Sequence, residues 1–376
     1  MITIAADAEI PLVQEAFGAM GTVRLLDGRS MNAANIGDAS MLLVRSVTPV
    51  NQTLLADTRV RFVATATVGV DHVDTECLMR NHIGFASASG CNAVAVAEYV
   101  AAALLFLARR DHFDLQGKTL GIVGVGNVGG KVFERAHALG MRCLLCDPPK
   151  QRQTGNALFL PLDEVLANAD IITVHVSLSH EGPDATAGMI NRAFFAAAKN
   201  GAVLINTSRG AVCDDAALRE ARDKLSAVVL DVWNNEPAID PANVAVADIA
   251  TPHIAGYSLD GKVRATEMVY RAACGFLFRE PAWNPSGFLS RTGAPTIDLK
   301  HSSDPVHDAI AGSCPITRDD TALRKAIKGK KADIGAAFDT LRREYPLRRE
   351  FDKCRIVNAP AGAEKMLRDV GFIIER

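Results

Sequence analysis

The sequence predicts an α/β fold built on doubly wound parallel sheets, and three observations support that prediction. Short apolar runs alternate with longer amphipathic runs, which is the pattern of strands and crossover helices in a parallel sheet. The apolar runs in the middle of the chain are nearly continuous in Val, Ile and Leu, as strands covered on both faces are. The length of 376 residues favours two or three domains.

The first series of strands occupies the N-terminal part of the chain. The predicted strands are MITIA, MLLVRS and RFVATATV, and helices are predicted over Val13–Met20 and after Asn51. The alanine-rich stretch Ala93–Arg109 is predicted to form one long helix that separates this series from the next.

The second series contains the predicted strands TLGIVG, MRCLLCD, IITVHV, AVLINTS and AVVLDV. Near Arg279 the composition becomes rich in Pro, Ser and Gly, which is typical of a linker. Beyond it we predict helices over Thr321–Lys328 and Ile334–Glu344, and a strand in GFIIER.

The composition narrows the functional classes. A formal net charge of -2 gives no electrostatic basis for binding nucleic acid. The sequence has no apolar run of membrane-spanning length, and its N-terminus lacks the pattern of a leader, so we expect a cytoplasmic protein without a membrane partner. Among the eight cysteines only Cys143 and Cys146 lie close together. Residues three apart on a strand point to opposite faces, so we interpret them as core residues and predict no metal site.

A glycine-rich turn predicts a dinucleotide site. Gly124, Gly126 and Gly129 form a G-x-G-x-x-G between a predicted strand and a predicted helix over Gly129–Leu139. Such glycines let backbone N–H groups approach a pyrophosphate at a helix N-terminus. Asp147 ends the next strand and can accept hydrogen bonds from an adenosine ribose, so its charge favours NAD over NADP. The turn alone is also compatible with a nucleotide-free domain or a methyltransferase.

Three polar residues follow predicted strands of the second series: Arg209, Glu236 and His253. Open α/β sheets bind ligands at that edge. Oxidation of a 2-hydroxy acid needs a base for the hydroxyl proton, and histidine exchanges protons near neutrality. A carboxylate beside it would orient the imidazole, and an arginine would hold the substrate carboxylate.

Each of the three residues also has a structural interpretation. Arg209 could pair with Asp214 or Asp231, Glu236 could be a solvated turn residue, and His253 could cap a loop. Their common position at strand ends, beside a dinucleotide turn, favours catalysis.

The glycine turn is followed along the chain by the motifs around Arg209, Glu236 and His253. In type and order these four motifs resemble those of the D-isomer-specific 2-hydroxy acid dehydrogenases. The resemblance implies NAD as the cofactor, Arg209 as the substrate-orienting residue, His253 as the acid/base and Glu236 as its partner. The family motifs G-x-G-x-x-G, N-x-x-R-G, D-V-x-x-x-E-P and T-P-H correspond here to Gly124–Gly129, Asn206–Gly210, Asp231–Pro237 and Thr251–His253.

The resemblance also implies contacts to the cofactor. Where the family often has Thr-Pro, this chain has Val176, so only a backbone contact is expected there. The implied NAD contacts are Gly124, Gly126, Asn127, Val128, Gly129, Asp147, Val176, Thr207, Ser208, Arg209, Asp231 and Gly256.

This chain resembles one branch of that family along its whole length. That branch implies oxidation of 4-phospho-D-erythronate, a small phosphorylated 2-hydroxy acid, to its 2-oxo acid in pyridoxal 5′-phosphate biosynthesis. The segments that carry the resemblance are VRSVTPVN, ATATVGVDHVD, GCNAVAVAEYV and IAGYSLDGK, followed by SSDPVHDAI and ITRDDTALRKA in the tail.

The implied architecture is a Rossmann-type doubly wound NAD domain inserted in a flavodoxin-like substrate domain, plus a C-terminal α+β domain that forms a homodimer. The expected bounds are 1–92 with 258–280 for the substrate domain, 93–257 for the NAD domain and 281–376 for the dimerisation domain.

The substrate contacts implied by the resemblance are Ser46, Thr67 and Tyr257. Arg45, next to Ser46, is the first candidate for the substrate phosphate, and its alternative is a surface arginine beside a strand. The basic run LRREYPLRRE (341–350) could reach a partner's active site or could form a solvated face. Alternatives for the whole chain are a 3-phosphoglycerate or glycerate dehydrogenase, or a non-catalytic NAD-binding protein that resembles the related corepressors.

Overall fold

The computed structural model describes residues 2–328 and 331–375, which form two compact units. The first unit comprises Met1–Asn92 with Ser258–Gly293, and the second comprises Ala93–Tyr257 with Ala294–Arg376. The division of the chain into three domains, with one beginning at residue 281, stays a prediction.

The first part of the first unit alternates strands and helices. In chain order its elements are β1 (Ile2–Asp7), α1 (Val13–Phe17), β2 (Gly21–Leu26), α2 (Ala33–Ile36), β3 (Met41–Val44), α3 (Gln52–Leu55), β4 (Phe62–Thr65), α4 (Thr75–Arg80) and β5 (Gly84–Ser87).

These strands form a five-stranded parallel sheet in the order β2-β1-β3-β4-β5, which is the flavodoxin-like order and confirms the predicted fold. The sequence analysis missed β2 and β5. Every residue of β5 is half-buried, so this strand lacks the continuous apolar run that identified β3 and β4. The first helix ends at Phe17, three residues before the predicted end.

The second unit begins with the predicted long helix and continues with a second sheet. Its elements are α5 (Ala93–Arg110), β6 (Thr119–Val123), α6 (Asn127–Ala138), β7 (Arg142–Cys146), α7 (Pro148–Thr154), α8 (Leu162–Asn168), β8 (Ile171–Val174), α9 (Arg192–Ala197), β9 (Val203–Asn206), α10 (Asp215–Glu220), β10 (Ala227–Leu230), α11 (Pro241–Val246) and β11 (Ile249–Ala250).

The second sheet is a six-stranded parallel sheet in the order β11-β10-β9-β8-β6-β7. The strand order reverses between β6 and β8, and open α/β sheets bind ligands at such a reversal, beyond the carboxyl ends of the strands. All residues of β6, β8, β9 and β10 are buried, as the continuous apolar runs predicted. Burial raises the pKa of the Cys143 and Cys146 thiols to about 11, and Cys146 is a core residue whereas Cys143 is half-buried.

The remaining elements complete both units. Those of the first unit are α12 (Leu259–Phe276) and α13 (Ser286–Arg291), and those of the second are β12 (Thr296–Asp298), α14 (Pro305–Ser313), α15 (Ile316–Ala326), α16 (Lys331–Arg343), β13 (Arg355–Val357), α17 (Ala361–Asp369) and β14 (Ile373–Ile374).

The tail differs in detail from the sequence-based expectation. The segment interpreted as a linker contains the short helix α13. The two predicted tail helices begin earlier, at Ile316 and Lys331, and the tail contains a parallel three-stranded sheet in the order β12-β13-β14. The helices α14 and α17 and the strands β12 and β13 were not predicted, because these strands have three residues each and carry too little periodic signal.

Helix α15 covers the edge of the second sheet. The Ala250 amide on edge strand β11 donates to Asp320 Oδ1 at 2.8 Å. Arg324 donates to the carbonyls of Val244 and Ala247 at 3.0 and 2.7 Å. The tail therefore satisfies polar groups that an open sheet edge would leave to water. Within the described ranges, no helix is both long and apolar enough to span a bilayer.

Candidate active site

The glycine turn after β6 has the geometry of a pyrophosphate cradle. Gly124 has a φ of +86°, and a Cβ on it would lie 2.8 Å from the carbonyl oxygen of His175. A Cβ on Gly129 would lie 2.0 Å from the carbonyl oxygen of Gly124, so this glycine lets α6 pack closely on the turn. A Cβ on Gly126 would meet no heavy atom of the described residues within 4 Å. The two outer glycines therefore shape the turn, while the middle one faces open space where a phosphate would fit.

Helix α6 begins at Asn127, two residues earlier than predicted, and its first turn carries Val128 and Gly129. The first turn of the helix thus belongs to the glycine loop itself. Its N–H groups form the positive end of the helix dipole, which suits an anionic diphosphate.

Asp147 lies at the carboxyl end of β7 and organises the neighbouring loops. Its Oδ2 accepts a hydrogen bond from the Val125 amide at 2.9 Å, and its Oδ1 accepts one from the Lys150 amide at 3.0 Å. Each carboxylate oxygen has two lone pairs, so both retain capacity for a ribose hydroxyl. The Lys150 ammonium donates to the Val125 carbonyl at 2.9 Å, which fixes it on the same turn.

His175 was not among the predicted site residues, but it contacts one of them, Thr207. Its ring nitrogens lie 2.9 Å from the Thr173 hydroxyl and 3.2 Å from the Thr207 hydroxyl. Desolvation lowers the pKa of His175 to about 3, so its imidazole is neutral at physiological pH. A neutral ring fixes the Thr207 hydroxyl, an expected cofactor contact, without placing a positive charge beside it. The backbone nitrogen of the next residue, Val176, lies against the Gly124 turn, and its expected backbone contact to NAD stays a prediction.

The Arg209 loop is shaped by its neighbours. Asn206 Oδ1 accepts hydrogen bonds from the Ser208 amide at 3.0 Å and hydroxyl at 2.8 Å. The Arg209 guanidinium donates to the Ser208 carbonyl at 2.8 Å. A Cβ on Gly210 would lie 2.0 Å from the backbone of Trp233, so only glycine allows the chain to pass there. The motif N-x-x-R-G therefore combines a turn, a cation and a close approach of two loops.

His253 and Glu236 form a hydrogen-bonded pair. The distance from His253 Nδ1 to Glu236 Oε2 is 2.7 Å, and the other carboxylate oxygen accepts from the Trp233 amide at 2.9 Å. Burial by itself would raise the pKa of Glu236, but the charge and hydrogen bond of His253 bring it below its usual value. The side chains are 31% and 19% exposed, so the imidazole is accessible while its partner is mostly enclosed. Both predicted acid–base residues therefore lie in contact.

Asp231 holds the loop that carries His253. It accepts hydrogen bonds from the Thr251 hydroxyl at 2.6 Å and from the amides of Ile254 and Ala255 at 2.8 and 2.9 Å. Desolvation raises its pKa to about 6 despite these bonds. These contacts give it a positioning role, and its expected contact to NAD stays a prediction. Asp214, the other carboxylate considered for Arg209, caps α10.

The expected substrate residues of the first unit lie at the carboxyl ends of two paired strands, β3 and β4. Arg45 donates to buried Asp7 at 2.9 Å, so it is an anchored cation rather than a loose surface arginine. Ser46 is exposed beside it. Thr67 is half-buried, with its hydroxyl 2.7 Å from the Thr65 hydroxyl.

The basic run 341–350 is exposed in part, but its last three residues are buried. Arg348 and Arg349 are 5% and 4% exposed, and Glu350 is 1% exposed. Arg348 donates to the carbonyls of Ala95 and Ala255, which supply the acceptors that make its burial tolerable. The solvated-face interpretation is wrong for the last three residues of the run, and contact with a partner's active site stays a prediction.

Family models match two regions of the chain. Residues 100–255 match the model of the D-isomer specific 2-hydroxyacid dehydrogenase, NAD binding domain. Residues 289–371 match a domain of unknown function (DUF3410).

Curated relatives match nearly the full length. An erythronate-4-phosphate dehydrogenase of Salinibacter ruber is 45% identical over 377 residues, which cover 96% of this chain and 96% of that protein. An erythronate-4-phosphate dehydrogenase of Azotobacter vinelandii is also 45% identical, with 94% of each chain covered.

Solved structures share the fold of the dehydrogenase part. An NAD-dependent formate dehydrogenase of Staphylococcus aureus in complex with NAD has a TM-score of 0.63 at 24% identity and covers 76% of this chain and 98% of its own. A cofactor-bound 3-phosphoglycerate dehydrogenase of Entamoeba histolytica has a TM-score of 0.64 at 23% identity, with coverage of 74% and 95%.

Proposed function

This chain belongs to the erythronate-4-phosphate dehydrogenase family of D-isomer specific 2-hydroxyacid dehydrogenases, and on that premise we propose that it oxidises 4-phospho-D-erythronate with NAD⁺. The products are the 2-oxo acid, NADH and a proton. The observation that carries this proposal is the His253–Glu236 pair, which lies at the ligand-binding edge of a sheet that also bears the glycine turn.

His253 is proposed to accept the proton of the C2 hydroxyl. Since its Nδ1–H donates to Glu236, its Nε2 is the nitrogen that accepts that proton. The ionised Glu236 then stabilises the imidazolium that forms. When bound, NAD⁺ supplies the acceptor for the hydride that leaves C2.

Arg209 is proposed to bind the C1 carboxylate of the substrate and to polarise the oxygen on C2. A guanidinium forms two parallel hydrogen bonds to a carboxylate. The bond from Arg209 to the Ser208 carbonyl limits its rotation, which lowers the entropic cost of binding. Ser46, Thr67 and Tyr257 are proposed to contact the substrate as well.

The proposed cofactor site combines the glycine turn, the first turn of α6 and Asp147. The closed turn and the open space beside Gly126 support a bound diphosphate, and the Asp147 carboxylate supports a free ribose 2′-hydroxyl over a 2′-phosphate. Thr207, Ser208 and Gly256 are proposed to complete the site. We further propose a cytoplasmic homodimer that associates through the region after residue 280.

The test is an assay of the purified protein with NAD⁺ and 4-phospho-D-erythronate, with and without a 2-oxo acid that can re-oxidise NADH. We expect formation of the 2-oxo product, measured by mass spectrometry. Product only from 3-phosphoglycerate would assign the chain to the sister activity. A lack of product from any 2-hydroxy acid, with NAD still bound, would favour a non-catalytic NAD-binding protein.

A further inference from the structure

Helix α16 of the tail lies on the loop that carries Glu236. A Cβ on Gly335 would lie 3.6 Å from Cγ of Pro237, the residue after Glu236. Phe338, one turn further, is fully buried in the same apolar cluster as Trp233. The packing fixes this helix against the site, so its last turn has a defined position.

That last turn places Arg342 beside Tyr257. The centre of its guanidinium lies 5.4 Å from the centroid of the Tyr257 ring and 5.8 Å from that of Phe338. Cation–π contacts of this kind stabilise an arginine but supply no acceptor for its N–H groups. Among the described residues, none accepts a hydrogen bond from the buried Nε of Arg342.

Arg342 also acts electrostatically on the acid–base pair. Burial raises the pKa of Glu236, and the positive charge of Arg342 is one of the causes that lower it, after the charge and the hydrogen bond of His253. The guanidinium is therefore close enough to the site to affect its electrostatics, although it lies far from the glutamate in sequence. A buried N–H is stabilised by an acceptor, and an anionic ligand on this side of the site would supply one.

We propose that Arg342 binds the phosphate of the substrate within the same chain. The inference rests on the proposed function, in which Arg209 takes the carboxylate at the other end of the four-carbon substrate. Tyr257, an expected substrate contact, lies against Arg342 and orients it. A planar guanidinium matches a phosphate monoester with paired hydrogen bonds. The tail helix thereby selects a phosphorylated substrate.

The experiment compares the variants Arg342→Met and Arg343→Met in the full chain. Methionine keeps the apolar contact with Tyr257 and Phe338 while removing the charge. Arg343 is the matched control, because it is an exposed residue on the same helix and lies 3.7 Å from Glu344. We expect Arg342→Met to raise KM for 4-phospho-D-erythronate at least about tenfold, with kcat reduced less than about threefold, and Arg343→Met to change neither.

Further measurements separate binding from folding. The melting temperature and the affinity for NADH are expected to be unchanged in both variants, and Arg342→Lys is expected to recover part of the KM. An unchanged KM in Arg342→Met, or a fall in kcat at least as large as the rise in KM, would overturn the inference. If the wild-type protein does not oxidise 4-phospho-D-erythronate, the proposed function fails before any variant is measured.

Discussion

Two glutamates of the second unit have opposite shifts in pKa. Glu236, 19% exposed, has a pKa below its usual value, whereas burial raises the pKa of Glu98, 1% exposed, to about 8. Glu236 lies 2.7 Å from an imidazole nitrogen of His253. Glu98 accepts a hydrogen bond from the Phe351 amide at 2.7 Å, but the Arg135 guanidinium lies 4.0 Å away. Contact with the imidazole of His253, rather than burial alone, separates the pKa values of the two glutamates.

The surroundings of Glu98 and Glu236 suit the two carboxyl groups to different roles. Glu98 lies on α5, where the tail segment around Phe351 packs, and the charge of Glu350 further favours its protonated form. It is suited to binding the tail as a neutral acid. Glu236 is held ionised beside His253, the proposed acid/base. The pKa of Asp231, raised to about 6, is shifted less than that of Glu98. The reason is that three hydrogen bonds to Asp231 offset part of the effect of its desolvation.

The largest expected effect is that of Glu236→Gln. The amide removes the charge that stabilises the imidazolium, so we expect kcat to fall about 10²-fold or more. Because the pKa of Glu236 is lowered, the carboxylate is ionised over about pH 6 to 9, and the loss of kcat is expected throughout that range. Steady-state kinetics across that range provide the measurement. Glu98→Gln is the matched control, and a comparable loss of kcat in it would remove the distinction drawn between the two glutamates.

The second prediction concerns the pH dependence of stability. In the folded state Glu98 holds its proton up to about pH 8, whereas in the unfolded state it loses it near its usual value of 4.5. The folded state therefore binds more protons between these values, and the wild-type protein should lose up to about 1.4 kcal/mol per pH unit of rise relative to Glu98→Gln. Urea unfolding of both proteins from about pH 5 to 8 tests this expectation. A difference in stability that does not vary with pH would show that Glu98 is ionised in the folded protein.

The smallest effect is expected for Tyr99→Phe. The fully buried Tyr99 hydroxyl lies 2.7 Å from the hydroxyl of Thr251, which in turn donates to Asp231. Removal of one neutral hydrogen bond should reduce the free energy of unfolding by about 1 kcal/mol. The activity should change less than about twofold, since the two amide bonds to Asp231 still hold the His253 loop. Denaturant unfolding together with the dehydrogenase assay measures both quantities, and a large loss of kcat would mean that Tyr99 controls the loop.

Local sequence patterns were sufficient to predict many of the structural elements and motifs of this protein. The strands β6, β8, β9 and β10 have continuous apolar runs, and the glycine turn has a spacing that depends only on backbone geometry. The motifs around Arg209, Glu236 and His253 each follow a strand, so their common edge could be predicted from the parallel topology. Short or half-buried elements such as β5 and β12 carry no such signal, and the sequence analysis missed them.

The class of fold, the glycine turn and the proposed acid–base residues could all be inferred from the chain alone, because each depends on residues close together in sequence or on strand order. The environment of each charge is visible only in the folded molecule. The opposite pKa shifts of Glu98 and Glu236, and the burial of Arg348, depend on segments distant in sequence. The same is true of Arg342, which lies beside Tyr257 because α16 packs on the Pro237 loop. Desolvation and Coulomb interactions act through space, so no local pattern contains them.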